Sequence, residues 1–196
     1  GFDRGTRTVT AADSQPPKRS WGPFEPLRER TFGRIWSASL LSNFGQLILG
    51  VAAAWEMTRL TTSVEMVALV QSAMMLPLML VSVPGGAIAD MFDRRKIAMA
   101  GLGFATLCAA ALTALSWFGF TSPWMLLVFC SLIGTGVALY GPSWQASIGE
   151  QVTTEQLPAA IALGSISYNI ARSFGPALGG MIVLAAGATA AFAINA

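Results

Sequence analysis

Long apolar runs separated by short polar segments dominate the chain after its first 34 residues. Residues 35–55 form a run of 21 uncharged residues, and residues 66–89 form a run of 24. Because about 20 apolar residues cross the hydrocarbon core as a helix, each of these runs predicts one membrane span. Residues 97–149 form a run of 53 uncharged residues, which is long enough for two spans.

The last third of the chain continues the same pattern. The run 156–187 is interrupted only by Arg172, and another apolar run starts at Thr189 and stops at Ala196. The pattern therefore predicts an all-α membrane protein in which a bundle of five complete helices and an incomplete sixth occupies residues 24–196. The predicted spans are about 35–56, 65–89, 97–116, 124–148, 158–186 and 189–196.

The two ends of the chain suggest a piece of a larger protein. Residues 1–23 are polar and lack apolar periodicity, so we expect a disordered cytoplasmic tail. No initiator methionine is present, and the chain ends inside an apolar run. We therefore expect the natural protein to continue past Ala196.

Composition supports a membrane protein and excludes several kinds of site. Only 11% of the residues are charged, against about 25% in soluble domains, and the mean hydropathy is +0.58. The absence of histidine excludes a Ser-His-Asp triad and an HExxH zinc site. Cys108 and Cys130 are interpreted as core residues, so we expect neither a metal nor a cofactor. The net charge of +2 is too small to indicate a nucleic-acid partner.

The basic residues predict the orientation of the chain in the membrane. Seven of the twelve lysines and arginines precede the first predicted span, and three more, Arg94, Arg95 and Lys96, follow the second. By the positive-inside rule, these ten residues lie in the cytoplasm. We therefore expect a multi-pass protein of the cell membrane, a bacterial inner membrane, with its N-terminus in the cytoplasm.

The loop after the second predicted span contains the densest group of polar residues. Its sequence runs from Gly86 through Asp90 and Asp93 to Arg94, Arg95 and Lys96. The simpler interpretation is a basic stop at a helix end. The alternative is a latch, because a glycine permits close helix approach and Asp90 can pair with Arg94 or with a neighbouring helix N-terminus.

The GxxxDxxxRRK pattern of this loop resembles the loop signature of the major facilitator superfamily. Asp93 stands where glycine is usual, as in some drug-exporting and siderophore-exporting branches. The resemblance implies the N-terminal six-helix bundle of a twelve-helix transporter, with the C-terminal half missing from this chain. It also implies a small-molecule substrate and alternating access, in which two bundles rock about a site in the middle of the membrane.

The fifth predicted span contains a second motif, formed by Gly175, Pro176, Gly179 and Gly180. Proline removes a helix hydrogen bond and glycine permits close packing, so we expect a bend at a helix contact. General enrichment of glycine and proline in membrane helices is the alternative. The GPxxGG pattern resembles the fifth-span motif of proton-coupled exporters in the same superfamily. Ala162 and Ala171 occupy its two preceding glycine positions.

Two other positions depart from the pattern of proton-coupled exporters. Ser131 stands where an arginine is usual in span four, ahead of Gly134-Thr135-Gly136. Gln46 stands near a position where related exporters often have an acid in span one. The resemblance to exporters therefore depends on the loop and on the fifth span.

Arg172 is the main candidate for a substrate-binding or coupling residue. It lies 14 residues after Pro158, which places it roughly 21 Å along a helix. A central arginine costs at least about 2.5 kcal/mol to insert, which favours a functional role. Together with Asn43, Gln46, Gln71 and Asn169, it could line a polar cavity. The alternative is a structural arginine bonded to helix carbonyls.

Three other functions compete with export. The spacing of Asp90 and Asp93 superficially resembles a lipid phosphotransferase site, but too few acids are present to hold its metal. A non-transporting scaffold would explain the helices without explaining Arg172. An importer of the same fold differs only in direction. We therefore expect an efflux protein, an antiporter rather than an enzyme.

Overall fold

The computed structural model describes residues 24–91 and 93–196, with the side chains of all of these except 25, 82–83, 85–91, 94, 142–147 and 150–151. The tail predicted for residues 1–23 lies outside this part of the chain. A one-turn 3₁₀ helix, Glu25–Arg28, comes first. Five α-helices follow, α1 to α5 in chain order: Arg30–Leu60, Val64–Met91, Arg94–Trp117, Pro123–Gln151 and Leu157–Asn195.

Local sequence signals fix where two of the helices begin. Asp93 caps α3, since its side chain accepts a hydrogen bond from the backbone N–H of Arg95 at 3.0 Å. Ser122 caps α4 by accepting from the backbone N–H of Met125 at 3.3 Å, and Pro123 takes the first helical position. The connections between helices have at most five residues, so successive helices alternate in direction.

Within the described residues, five helices are long and apolar enough to cross a membrane. The predicted all-α membrane class is therefore confirmed. The sixth span and the twelve-helix context stay predictions. The segments predicted at 158–186 and 189–196 both lie within α5, on either side of a break at Gly187.

Gly187 reverses the direction of the chain. Its φ of 82° and ψ of 169° are backbone angles that glycine adopts readily and other residues rarely do. Gly179 lies against Ile48 of α1, and Asn195 lies against Gly45, less than one turn away on the same helix. A straight helix would place Asn195 roughly 24 Å beyond Gly179. The segment after Gly187 therefore runs back along α1.

Two hydrophobic clusters lie at opposite ends of the bundle. The larger cluster contains residues of all five helices and lies in the half remote from Arg30, Arg34 and the basic residues at the start of α3. Its largest fully buried side chains include Leu49, Leu112, Leu126 and Phe192. The smaller cluster lies at the basic end of the bundle and consists of Phe32, Ile148, Ala160 and Leu163.

Glycines bring α4 into backbone contact with two other helices. A Cβ atom on Gly134 would lie 2.6 Å from the carbonyl oxygen of Met74 in α2. A Cβ atom on Gly136 would lie 2.6 Å from the carbonyl oxygen of Gly101 in α3. Because real Cβ atoms do not approach a carbonyl this closely, only glycine permits both contacts at this spacing. The GxG of span four therefore has a packing role between α2 and α3.

Candidate functional site

The site is built on α5, and the first face of this helix packs against α1. Small buried residues recur on it at intervals of four: Ser167, Ala171, Gly175 and Gly179. A Cβ atom on Gly175 would lie 2.8 Å from the Cβ atom of Leu47, and one on Gly179 would lie 3.2 Å from the Cα atom of Ile48. A small residue at every fourth position permits this close approach of two membrane helices.

Two hydrogen bonds between side chains and α5 accompany this packing. The indole Nε1–H of Trp36 donates to the carbonyl oxygen of Leu163 at 2.8 Å. Asn43 Nδ2 donates to the hydroxyl oxygen of Ser167 at 3.3 Å. Residues farther along α1 therefore contact residues farther along α5, which shows that the two helices run in the same direction. This registration holds α5 at a fixed depth relative to α1.

The second face of α5 is polar and exposed. Its residues span about 100° of the helix circumference and are Ser165, Asn169, Arg172 and Ser173. Asn169 Nδ2 donates to the carbonyl oxygen of Ser165 at 2.8 Å, and the Ser165 hydroxyl donates to the carbonyl oxygen of Ile161 at 3.3 Å. Tyr168, one turn before Arg172, is also exposed. We call Ser165, Asn169, Arg172 and Ser173 the polar face.

The third face of α5 is apolar and exposed. Its large side chains are Ile166, Phe174, Met181 and Leu184. Phe174 is 61% exposed, although it lies two residues from Arg172 in sequence. An apolar surface of this kind is suited to lipid, whereas the polar face at the same depth is not. The two exposed faces therefore require different surroundings.

Arg172 lies deep in the helix, and no acidic side chain among the described residues forms an ion pair with it. It is 15 residues after the start of α5, roughly 22 Å along the axis. The sequence has ten acidic residues, and each lies in the tail, in a connection or within five residues of a helix end. Glu56, the carboxylate nearest to the polar residues of α1 in sequence, pairs with Arg59 at 3.6 Å.

The other residues of the predicted polar cavity lie in different places. Asn43 contacts α5 through Ser167. Gln46 lines a cavity of about 420 Å³ between α1, α3 and the end of α5, together with Asn195. Gln71 is exposed on α2, which has no contact with α5 in the described part of the chain. The structure thus brings Asn43 to the α5 site and leaves Gln71 apart from it.

The residues of the fifth-span motif have different surroundings. Gly175 and Gly179 contact α1, whereas the Cβ position of Gly180 faces open space. Pro176 is exposed, and the backbone remains helical through it. Half of the motif therefore builds the interface with α1, and the non-helical residue of α5 comes later, at Gly187.

The structure describes only part of the loop between α2 and α3. Asp93 caps α3, and Arg95 and Lys96 are exposed. The side chains of Gly86, Asp90 and Arg94 lie outside the described residues. The cap gives Asp93 a local structural role, which the Asp-before-helix pattern alone indicates. The latch between Asp90 and Arg94 stays a prediction.

A second cavity, of about 490 Å³, lies at the basic end of the bundle. Arg30 and Arg34 of α1, Leu102 of α3 and Tyr140 of α4 line it. Leu102 also borders the cavity that contains Gln46, so the two cavities adjoin between α1 and α3. Among the described residues, no group of three Cys, Asp or Glu side chains is placed to hold a metal ion.

Comparison with known proteins identifies the family. A family described as transmembrane secretion effector matches residues 21–196. The uncharacterized MFS-type transporter YfiS of Bacillus subtilis is 31% identical over 62% of this chain and 28% of its own length. The staphyloferrin A transporter of Staphylococcus aureus is 27% identical over 76% of this chain, and the multidrug efflux pump Tap of Mycobacterium tuberculosis is 24% identical over 78%.

The chain spans 38% of the length of each of the latter two proteins. No solved structure matches it. The family and the three relatives are transporters of the major facilitator superfamily rather than enzymes. These matches agree with the multi-pass helical structure and with the loop signature around Asp90. The chain belongs to the transmembrane secretion effector family of major facilitator transporters.

Proposed function

We propose that this chain is the N-terminal six-helix bundle of a twelve-helix secondary transporter. The complete protein exports small amphipathic or siderophore-like compounds by alternating access, driven by protons. Its substrate site lies in the middle of the membrane, between this bundle and a C-terminal half that the chain lacks. The polar face of α5 is this chain's contribution to that site.

The single observation that carries the proposal is the placement of Arg172. It lies roughly 22 Å along α5 on an exposed polar face, beside an apolar face at the same depth. A charged residue at this depth defaults to a role in a substrate or ion pathway. A scaffold without transport gives no reason for an exposed polar surface in the middle of the bilayer.

Export and proton coupling are supported by resemblance. The Gly175–Gly180 motif resembles that of proton-coupled exporters, and two relatives are named a multidrug efflux pump and a staphyloferrin A transporter. Import by the same fold predicts the opposite direction of movement. The direction is therefore the first quantity to measure.

The loop between α2 and α3 serves as the inner latch in this proposal. Asp90, one residue before the end of α2, pairs with Arg94 at the start of α3 or with a neighbouring helix N-terminus. Gly86 lets another helix approach, and Arg95 adds positive charge. The pairing closes the cytoplasmic side, and its release opens that side. The excess of basic residues here supports a cytoplasmic N-terminus in a bacterial inner membrane.

The test uses the full-length transporter in everted membrane vesicles, with the neutral amphipathic fluorophore dansylglycinamide as the probe. Acidifying the vesicle interior should drive this probe inward if the protein is a proton-coupled exporter. Dissipating the gradient should abolish uptake. Uptake only under the reverse gradient would indicate an importer, and uptake equal to that of vesicles without the protein would contradict transport of this probe.

The latch has its own matched pair of variants. Asp90→Asn should lower the transport rate while membrane insertion stays intact, because the amide cannot supply the negative charge. Asp93→Asn is the control, since asparagine caps a helix as well as aspartate does. Normal transport by Asp90→Asn, measured at equal protein level, would refute the latch.

A further inference from the structure

We infer that the polar face of α5 selects an oxyanion: the transported molecule carries a carboxylate or a chemically similar group, and Arg172 binds it. This inference rests on the proposed transport function and names the substrate class of the same site. The proposal concerns the charge of the substrate and not its complete structure.

Arg172 requires an opposite charge, and no acidic side chain among the described residues pairs with it. The ten acidic residues all lie in the tail, in connections or near helix ends, and Glu56 already pairs with Arg59. Arg172 lies in the interior of α5, on the face that α1 leaves uncovered. An isolated arginine in the middle of a membrane is costly unless it is compensated. An anionic substrate supplies that compensation when it occupies the site.

The groups around Arg172 are suited to bind an oxyanion. A guanidinium donates two parallel hydrogen bonds to a carboxylate, which a lysine ammonium cannot match in geometry. Tyr168 is one turn away and half exposed, and it carries a second type of donor. Asn169 lies one turn before Arg172 on the same face, and its amide is held by donation to the Ser165 carbonyl oxygen at 2.8 Å. A cationic substrate would meet repulsion here.

The registration of α5 against α1 gives this site a fixed position. Ser167 and Ala171 are buried, whereas Ser165 and Arg172 lie on a different, exposed face of the helix. The bond from Asn43 to Ser167 and the close contact of Leu47 with Gly175 flank Arg172 along the axis. The guanidinium therefore extends from a backbone that cannot slide freely, as selective binding requires.

The experiment compares two probes that differ in one charge. Dansylglycine carries a carboxylate, and dansylglycinamide has the same skeleton without the charge. Accumulation of each is measured in everted vesicles that contain the full-length transporter, energised as above. We expect the wild type to favour dansylglycine, and Arg172→Gln to reduce its accumulation about tenfold, which corresponds to a loss of about 1.4 kcal/mol. Transport of dansylglycinamide should stay unchanged.

Two further variants make the result specific. Arg59→Gln removes a 65% exposed arginine in the last turn of α1, away from the polar face, and should leave the transport of both probes unchanged. Arg172→Lys keeps the charge but loses the two-bond geometry, so it should reduce the carboxylate preference only in part. If Arg172→Gln does not reach the membrane, Arg172→Lys decides the question. A reduced preference for dansylglycine in Arg172→Lys supports the inference, and an unchanged preference refutes it.

Several outcomes would overturn the inference. A wild type without carboxylate preference would do so, as would Arg172→Gln with an unchanged preference. Equal loss of both probes in folded Arg172→Gln would assign the arginine to coupling or to an acid elsewhere in the protein. If the vesicles accumulate dansylglycinamide as well as dansylglycine, the transport function stands and oxyanion selection is refuted. Accumulation of neither probe would count against both the transport function and oxyanion selection.

Discussion

Two faces of α5 lie at the same depth and have opposite relations to the rest of the chain. The face against α1 is small and buried, and a partner helix within the chain fills its surface. The polar face is exposed and contains Arg172, for which the sequence offers no acid at that depth. Since depth is the same, the bilayer does not cause this difference. The first face explains how the bundle is held together, and the second requires a group from outside it.

The largest expected effect separates the polar face from the apolar face of the same helix. Phe174→Asp places a carboxylate on the exposed apolar face, where insertion of aspartate at mid-membrane costs about 2.5 kcal/mol or more. Ser173→Asp places the same group one residue earlier, on the polar face and next to Arg172. We expect Phe174→Asp to reduce strongly the folded protein recovered from membranes, as measured by size-exclusion chromatography in detergent.

Ser173→Asp serves as the matched control because depth and substituent are nearly the same. Its yield should be close to that of the wild type. Equal loss of both variants would show that lipid covers both faces, and the distinction between them would then be wrong. Equal tolerance of both would show that neither face contacts lipid.

The next effect probes the packed face with two glycines of one motif. Gly175→Leu forces a side chain into Leu47, because even a Cβ atom would lie 2.8 Å from the leucine Cβ. Overpacking of this kind costs about 2 kcal/mol. Gly180→Leu is the control, since its Cβ position faces open space. Thermal unfolding in detergent should show a lower midpoint for Gly175→Leu than for Gly180→Leu, and equal midpoints would contradict the packing role.

These faces also show what the sequence can predict and what it cannot. The depth of Arg172 follows from counting residues along a run without other charges, and the close contacts of Gly175 follow from a small residue at every fourth position. The neighbours of each helix do not follow from such patterns. The sequence therefore groups Gln71 with Arg172, although α2 does not contact α5 in the described part of the chain.

Glycine patterns illustrate the same limit. In the sequence, Gly134 and Gly136 stand out because the arginine usual upstream of them is replaced by Ser131, but their contacts with Met74 and Gly101 depend on which helices lie beside α4. Asp93 shows the opposite case. An aspartate immediately before a helix predicts an N-cap from local rules, whereas the surrounding charge pattern favours a latch. Which helices are neighbours in space cannot be predicted from local sequence, whereas an N-cap can.

A smaller effect concerns the hydrogen bond that joins Trp36 to the backbone of α5. Trp36→Phe keeps an aromatic ring but removes the indole N–H that donates to the Leu163 carbonyl at 2.8 Å. We expect a loss of about 1 kcal/mol in stability. Trp117→Phe, at a site 79% exposed, is the control. Unfolding by denaturant in mixed micelles gives the free energy of unfolding of each variant. If Trp117→Phe loses as much stability as Trp36→Phe, the hydrogen bond does not stabilise the bundle.

The smallest expected effect is the coupling of Asn43 to Ser167, and it sharpens the comparison most. Their bond is 3.3 Å long and joins two neutral groups, so a double-mutant cycle with Asn43→Ala and Ser167→Ala should give about 0.6 kcal/mol. Transport should change little, because both groups serve the packed face. A coupling near zero together with a large loss of transport would place Asn43 in the substrate path, and the separation of a structural face from a functional face would then fail at this residue.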